Sequence, residues 1–132
     1  MTSPERMTAA EYRARVKEKP AKYRNKALVV DGVRFDSRRE FARWAELQAM
    51  ERRGEISDLR RQPVFVLAAS VKFAGSKRAK PALRYVADFF YHEGTARVVE
   101  DIKSPATAKN AAFVIKRHLM LALYGLDVRV TT

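Results

Sequence analysis

The stretch Arg84–Lys103, RYVADFFYHEGTARVVEDIK, constrains the fold more than any other part of this sequence. Aromatic and β-branched residues dominate both sides of Glu93-Gly94, so the segment reads as a hairpin turning there. Its arms are apolar on both faces, with Val86 and Phe90 on one and Tyr85 and Phe89 on the other. A hairpin of that kind belongs at the centre of a sheet that is covered on both sides.

Into this apolar hairpin the chain places Asp88, Asp101 and Lys103. Acids are depleted from strands and are almost never fully buried unless paired, so their presence needs a reason. A two-residue turn at Glu93-Gly94 pairs His92 with Thr95 and Asp88 with Val99. Side chains alternate along a strand, so Asp88, Val99, Asp101 and Lys103 share one face, and Glu100 points the other way. Two carboxylates and an ammonium then converge within one or two rows, close enough to share a divalent cation through oxygen ligands. The plainer reading is a surface ion pair between Asp101 and Lys103, worth about 0–1 kcal/mol on a solvated face. The covered character of both arms favours a metal or catalytic site.

The remaining chain supplies the layers that cover such a hairpin. ALVVDGVRF reads as a first hairpin, with Asp31-Gly32 suited to a type I′ turn. SRREFARWAELQAMERRG has apolar residues at helical spacing and Gly54 just past its end, a helix of about four turns. PVFVLAASVKF gives one or two strands broken near Ala69-Ser70, and GSKRAKP a basic loop. SPATAKN is a turn into AAFVIKRHLMLALYG, a second, largely buried helix ending at Gly125, and LDVRVT closes as a strand. The order predicts an α/β fold, a mixed β-sheet flanked by helices. Residues 1–22 form a basic N-terminal arm with a short helix over 9–19, and residues 23–132 form the single domain. The arm either lies along a phosphate backbone or is frayed.

Charge narrows the partners. The 132 residues hold 27 Lys and Arg against 15 Asp and Glu, a net charge of +12, which favours a polyanion and nucleic acid first. No acid occurs between Asp58 and Asp88, nor between Asp101 and Asp127, so the hairpin carboxylates stand between two acid-free basic stretches. Carboxylates in a basic field suit a metal site working on phosphates. No cysteine is present, which removes disulfides and thiolate metal sites and fits a reducing cytoplasm. No apolar run approaches the roughly 18–20 residues of a membrane helix, and the first residues lack a signal-peptide core.

Asp88 followed by Asp101-Ile102-Lys103 resembles the Asp…(Asp/Glu)-x-Lys signature of the PD-(D/E)XK nuclease superfamily. KYRNKALVVDGVRFDSRREFARWAELQ, GEISDLRRQPVF, RYVADF and VVEDIK, in that order, resemble a family of small phage- and prophage-borne proteins assigned to that superfamily. The resemblance spans about residues 22–130. Ala87 stands where the superfamily name puts proline. The resemblance implies a restriction-endonuclease-like core and a metal-dependent DNA endonuclease of the bacterial cytoplasm. Its implied role is phage or prophage DNA recombination, replication or repair, with branched or Holliday-junction DNA as substrate. It further implies that Asp88 and Asp101 bind Mg²⁺ or Mn²⁺ and that Lys103 sits beside the attacking water. The alternative is a non-catalytic nucleic-acid-binding protein that retains the fold.

Other candidates carry two readings each. Glu40 matches the acid that superfamily members often supply from the helix before the active hairpin, which would make it a catalytic residue and third metal ligand. Yet Ser37-Arg38-Arg39-Glu40 is also a capping box. Gln62 either lines the site or hydrogen-bonds at a sheet end. Arg24, Lys26, Arg38, Arg39, Lys77, Arg78 and Lys80 are candidate phosphate contacts, joined by Lys109 and Lys116, seven residues apart on one helix face. The plain alternative for that last pair is a solvated face. A single acid–acid–lysine set per chain suggests a two-fold homodimer for symmetric cleavage of two strands, with residues 24–35 as a contributor to its interface.

Overall fold

The computed structural model describes residues 27–132; the arm expected over 1–22, and with it Arg24 and Lys26, lies outside the described residues. The chain divides into two compact units between Ala42 and Arg43.

The described part of the first unit is a hairpin and a helix start. Strands β1 (Leu28–Val30) and β2 (Val33–Phe35) pair antiparallel. Asp31 and Gly32 both take positive φ, 51° and 77°, the two left-handed residues that a type I′ turn requires. Phe35 is buried and meets Phe41 edge to face at 5.2 Å. Helix α1 (Arg38–Arg52) starts where the Glu40 amide donates to Ser37 Oγ at 3.1 Å, which satisfies one of the unpaired amides of its first turn.

The second unit is a mixed α/β layer structure. Strands β3 (Ser57–Arg61), β6 (Phe89–Glu93), β7 (Ala96–Ile102) and β8 (Arg129–Thr131) form one sheet in that order. β7 and β8 run parallel and the other pairs antiparallel, so the sheet is mixed as expected. The parallel pair needs a crossover, which α2 (Pro105–Ala108) and α3 (Ala111–Tyr124) supply. Strands β4 (Val64–Ala68) and β5 (Leu83–Val86) pair with each other.

Two apolar clusters lie on opposite faces of the central strands. Leu47, Ile56, Phe89, Tyr91 and Val98, with Trp44 stacked on Phe89 at 5.9 Å, form one against α1. Leu67, Tyr85, Ala87, Val99, Phe113, Met120, Leu126 and Val128 form the other against α3. Each face of β7 is therefore covered, and its residues 98–101 are all buried.

Several expectations are corrected here. The β6–β7 turn is Gly94-Thr95, since Glu93 pairs with Ala96 and His92 with Arg97, not with Thr95. The register slips by two residues, an even step, so the side chains of β6 and β7 keep their expected faces. β3 is an unexpected strand, because SDLRR shows no apolar alternation; it lies at the edge of the sheet with mostly solvated side chains. The 84–92 arm is two strands rather than one. SPATAKN holds a helical turn capped by Ser104 Oγ, which accepts from the Thr107 amide. Lys109 caps that turn and is not part of α3, so it does not share a helix face with Lys116. α3 is buried only along Phe113 and Met120, seven residues apart. Its Val114, Ile115, Leu121 and Leu123 are all more than half exposed, because a helix offers only one stripe to the sheet.

Candidate functional site

The site grows out of a bend shared by two paired chain segments. Residues 57–68 and 83–93 run antiparallel throughout, yet the ladder passes from β4–β5 to β3–β6 at Gln62-Pro63 opposite Ala87-Asp88. Pro63 lacks an amide, and Gln62 takes a positive φ of 51°, so neither continues a regular strand. The crossing is still hydrogen-bonded: the Gln62 amide donates to the Asp88 carbonyl at 2.9 Å, and the Ala87 amide to the Pro63 carbonyl at 3.2 Å.

Beyond the bend, Phe89 pairs with Glu100, and continuing that register sets Asp88 across from Asp101. The ladder is extended there by side chains. The Asp88 amide donates to Asp101 Oδ1 at 2.9 Å, and the Ile102 amide donates to Asp88 Oδ2 at 2.7 Å. Each carboxylate thus holds the other strand's backbone. Asp101 is buried, and its Oδ2 accepts from the Tyr85 hydroxyl and lies 3.7 Å from Lys103 Nζ. Asp88 is half-buried. Lys103 Nζ also stands 5.0 Å from the centre of the Phe113 ring, a cation–π distance, while the Lys103 amide donates to the Thr131 carbonyl at 2.9 Å.

Tyr85 keeps its proton across the working pH range. Burial pushes its phenol well above the ordinary tyrosine range, and the negative charge of Asp101 adds to the effect. It is therefore a fixed donor to Asp101. Sequence parity places Tyr85 on the opposite face, because it assumes a continuous strand. The bend at Ala87-Asp88 turns the side chain back.

The donor set fits a small, hard cation. A carboxylate offers about four acceptor positions, and an amide, a hydroxyl and an ammonium already draw on Asp101. Among the described residues no group of three or more His, Cys, Asp or Glu side chains could hold a metal ion. Mg²⁺ commonly takes one or two carboxylates and fills its shell with water and substrate phosphate, which matches a two-carboxylate site.

Glu40 is buried in the first unit, and its amide is the group that Ser37 caps. Arg38 and Arg39 are exposed there. Gln62 borders Asp88 through its backbone and is itself exposed. Lys77, Arg78 and Lys80 are exposed in the β4–β5 connection, Lys109 is exposed beside α2, and Lys116 is half-buried on α3.

On the reverse face of β7 stands a network that sequence reasoning did not find. Glu100, with no exposed surface, receives Arg43 Nε at 2.6 Å, Arg43 Nη2 at 2.9 Å and the Tyr91 hydroxyl at 2.7 Å. Arg129 Nη1 in turn donates to the Tyr91 oxygen at 3.1 Å. The hydrogen bond to Glu100 holds the Arg43 guanidinium even more firmly charged than usual. The available signal was Glu100 itself: an acid at an inward strand position requires a cation, though nothing in the sequence names which.

Residues 20–131 match the family described as Protein of unknown function (DUF1064). The chain belongs to that family. The DUF1064 match takes in both units' described elements, including the bend, the two aspartates and Lys103. Neither the curated proteins nor the solved structures include a match to the chain.

Proposed function

We propose that this DUF1064 protein is a divalent-metal-dependent DNA endonuclease of the PD-(D/E)XK type. The observation that carries the reading is the mutual clamp of Asp88 and Asp101, with Lys103 Nζ 3.7 Å from Asp101. A protein that only binds DNA gains nothing from setting carboxylates where phosphates would approach.

In this reading Asp88 and Asp101 hold Mg²⁺ or Mn²⁺, and Lys103 stands beside them. When bound, the ion would lower the pKa of a coordinated water, orient the scissile phosphate and offset charge on the pentacoordinate centre. Tyr85 and the Asp88 amide fix the Asp101 carboxylate, so no rearrangement is needed when substrate arrives. Lys103 adds positive charge near the nucleophile and the phosphate without competing for the cation. Its position at the end of β7 is held by the amide bond to Thr131.

The favoured substrate is branched DNA, including Holliday junctions, in phage or prophage recombination, replication or repair inside the bacterial cytoplasm. Two symmetric incisions require two sites, which a homodimer supplies. Among the described residues no helix is long and apolar enough to cross a membrane.

The deciding experiment is a cleavage panel of junction, flap, duplex and single-stranded DNA with Mg²⁺, Mn²⁺ or EDTA. The reading expects product in the metal arms and none in EDTA. Binding without cleavage in every metal arm leaves the non-catalytic alternative standing. Sedimentation of the protein alone and on junction DNA tests the dimer, and a monomer in both states removes it.

A further inference from the structure

The connection between β4 and β5 carries an element that the acid–lysine site does not use. Val71 and Lys80 form a backbone bridge, with hydrogen bonds of 2.6 and 3.2 Å in the two directions. Inside the bridge, the Ser76 amide donates to the Phe73 carbonyl at 3.1 Å and Gly75 takes a φ of 79°, the pattern of a β-turn with a left-handed third residue. Ser76 Oγ further donates to the Arg78 carbonyl at 2.9 Å.

This built turn presents Phe73 to solvent at 61% exposure, against 36% for Tyr124, the next most exposed aromatic among the described residues. Lys72, Lys77, Arg78 and Lys80 surround it in sequence and are all exposed. No acid lies anywhere between Asp58 and Asp88. A phenylalanine held in the open by its backbone, with four exposed cations and no acid near it in sequence, is placed to meet something both flat and anionic.

We propose that Phe73 stacks on an unpaired base while Lys72, Lys77, Arg78 and Lys80 hold the flanking phosphates, so that the protein prefers DNA with unstacked bases to continuous duplex. Within a duplex each base face is already occupied by its neighbours; single strands, gaps, bulges and branch points offer a free one. Phenylalanine has no donor or acceptor, so the contact reads the availability of a base and not its identity. The proposal rests on the DNA reading above and names the substrate class for it.

The test is equilibrium binding in EDTA, where cleavage cannot contribute. Fluorescence anisotropy is measured on a labelled single strand, a duplex with one bulged nucleotide, and a blunt duplex. Phe73→Ala should weaken binding to the first two roughly tenfold and to the blunt duplex by less than about twofold. Phe73→Trp should retain affinity, and its emission, read over that of Trp44, should be quenched by the bulged duplex. Unchanged affinity of Phe73→Ala for the single strand, or an equal loss on all three DNAs, overturns the proposal. A change of sedimentation with Phe73→Ala and none in DNA binding also overturns it, assigning Phe73 to a protein contact. Wild-type binding in EDTA with the expected preference, but no cleavage in any metal, would sink the nuclease reading and leave the stacking element intact.

Discussion

Arg43 grips Glu100 with both arms of its guanidinium, Nε at 2.6 Å from Oε2 and Nη2 at 2.9 Å from Oε1. The fork geometry matches a carboxylate, and the pair ties α1 to the strand whose next residue is Asp101. Removing one partner leaves a buried charge. Arg43→Met should cost about 3–5 kcal/mol in chemical denaturation. Arg43→Met combined with Glu100→Gln should cost less than the sum of the two single substitutions; strict additivity would show that the pair is not coupled.

Asp88→Asn and Asp101→Asn should each abolish metal-dependent cleavage. Asparagine retains one acceptor oxygen, so a backbone clamp can persist, and DNA binding in EDTA should be equal or tighter because a repulsive charge is gone. Wild-type cutting by either variant would remove that residue from the site.

Glu40 and Ser37 separate capping from chemistry. The Glu40 amide, not its carboxylate, meets Ser37 Oγ at 3.1 Å. Ser37→Ala should therefore cost about 0.5–2 kcal/mol of stability and leave the rate per folded molecule unchanged. Glu40→Gln keeps the backbone amide that Ser37 caps; a metal role for its carboxylate predicts that this variant loses cleavage with little loss of thermal stability. If Glu40→Gln only lowers Tm and cuts normally, its carboxylate has no part in the reaction.

Alkaline stability should report the two buried phenols. Burial raises Tyr91, and its hydrogen bond to Glu100 raises it further, from 10.0 to about 12; burial and the Asp101 charge raise Tyr85 as well. A pKa raised by folding stabilises the fold while the group is protonated. That contribution is whole below about pH 10 and is lost as pH climbs through the folded value. Phenolate absorbance from these two residues should appear late and together with the loss of circular dichroism. Tyr85→Phe and Tyr91→Phe should each shrink the late component; ordinary titration near pH 10 in the folded protein would contradict the burial of both.

The basic tip should govern salt sensitivity. Changing Lys77, Arg78 and Lys80 together to alanine should flatten the log–log dependence of affinity on salt, toward a slope smaller by about 0.9 for each phosphate no longer neutralised. An unchanged slope would place the phosphate-binding cations elsewhere.

What the sequence revealed follows from which signals are local. Asp31-Gly32 announces its turn, Gly54 ends its helix, and strand alternation puts Asp88, Asp101 and Lys103 on one face even though the pairing register is two residues away from that expected. Alternation survives an even slip. It does not survive a bend, so Tyr85 is misplaced by parity and emerges as a partner of Asp101 only in three dimensions. β3 hides because an outer strand need not alternate. The Arg43–Glu100 pair spans 57 residues, and several arginines of α1 have equal claims until the helix is docked. The exposed side of α3 is illegible for the opposite reason: an apolar sequence says what prefers burial, not what finds a place.

The bend at Gln62-Pro63 and Ala87-Asp88 has a consequence for how such a chain can diversify. Its two backbone hydrogen bonds, and the Val71–Lys80 bridge farther out, pin the hairpin at two levels. Residues inserted or deleted beyond the bridge lengthen or shorten the tip without shifting the ladder that sets Asp88 across from Asp101. The reach of the hairpin and the geometry of the carboxylates are therefore separately variable, and a change in what the tip touches need not be accompanied by repair at the site.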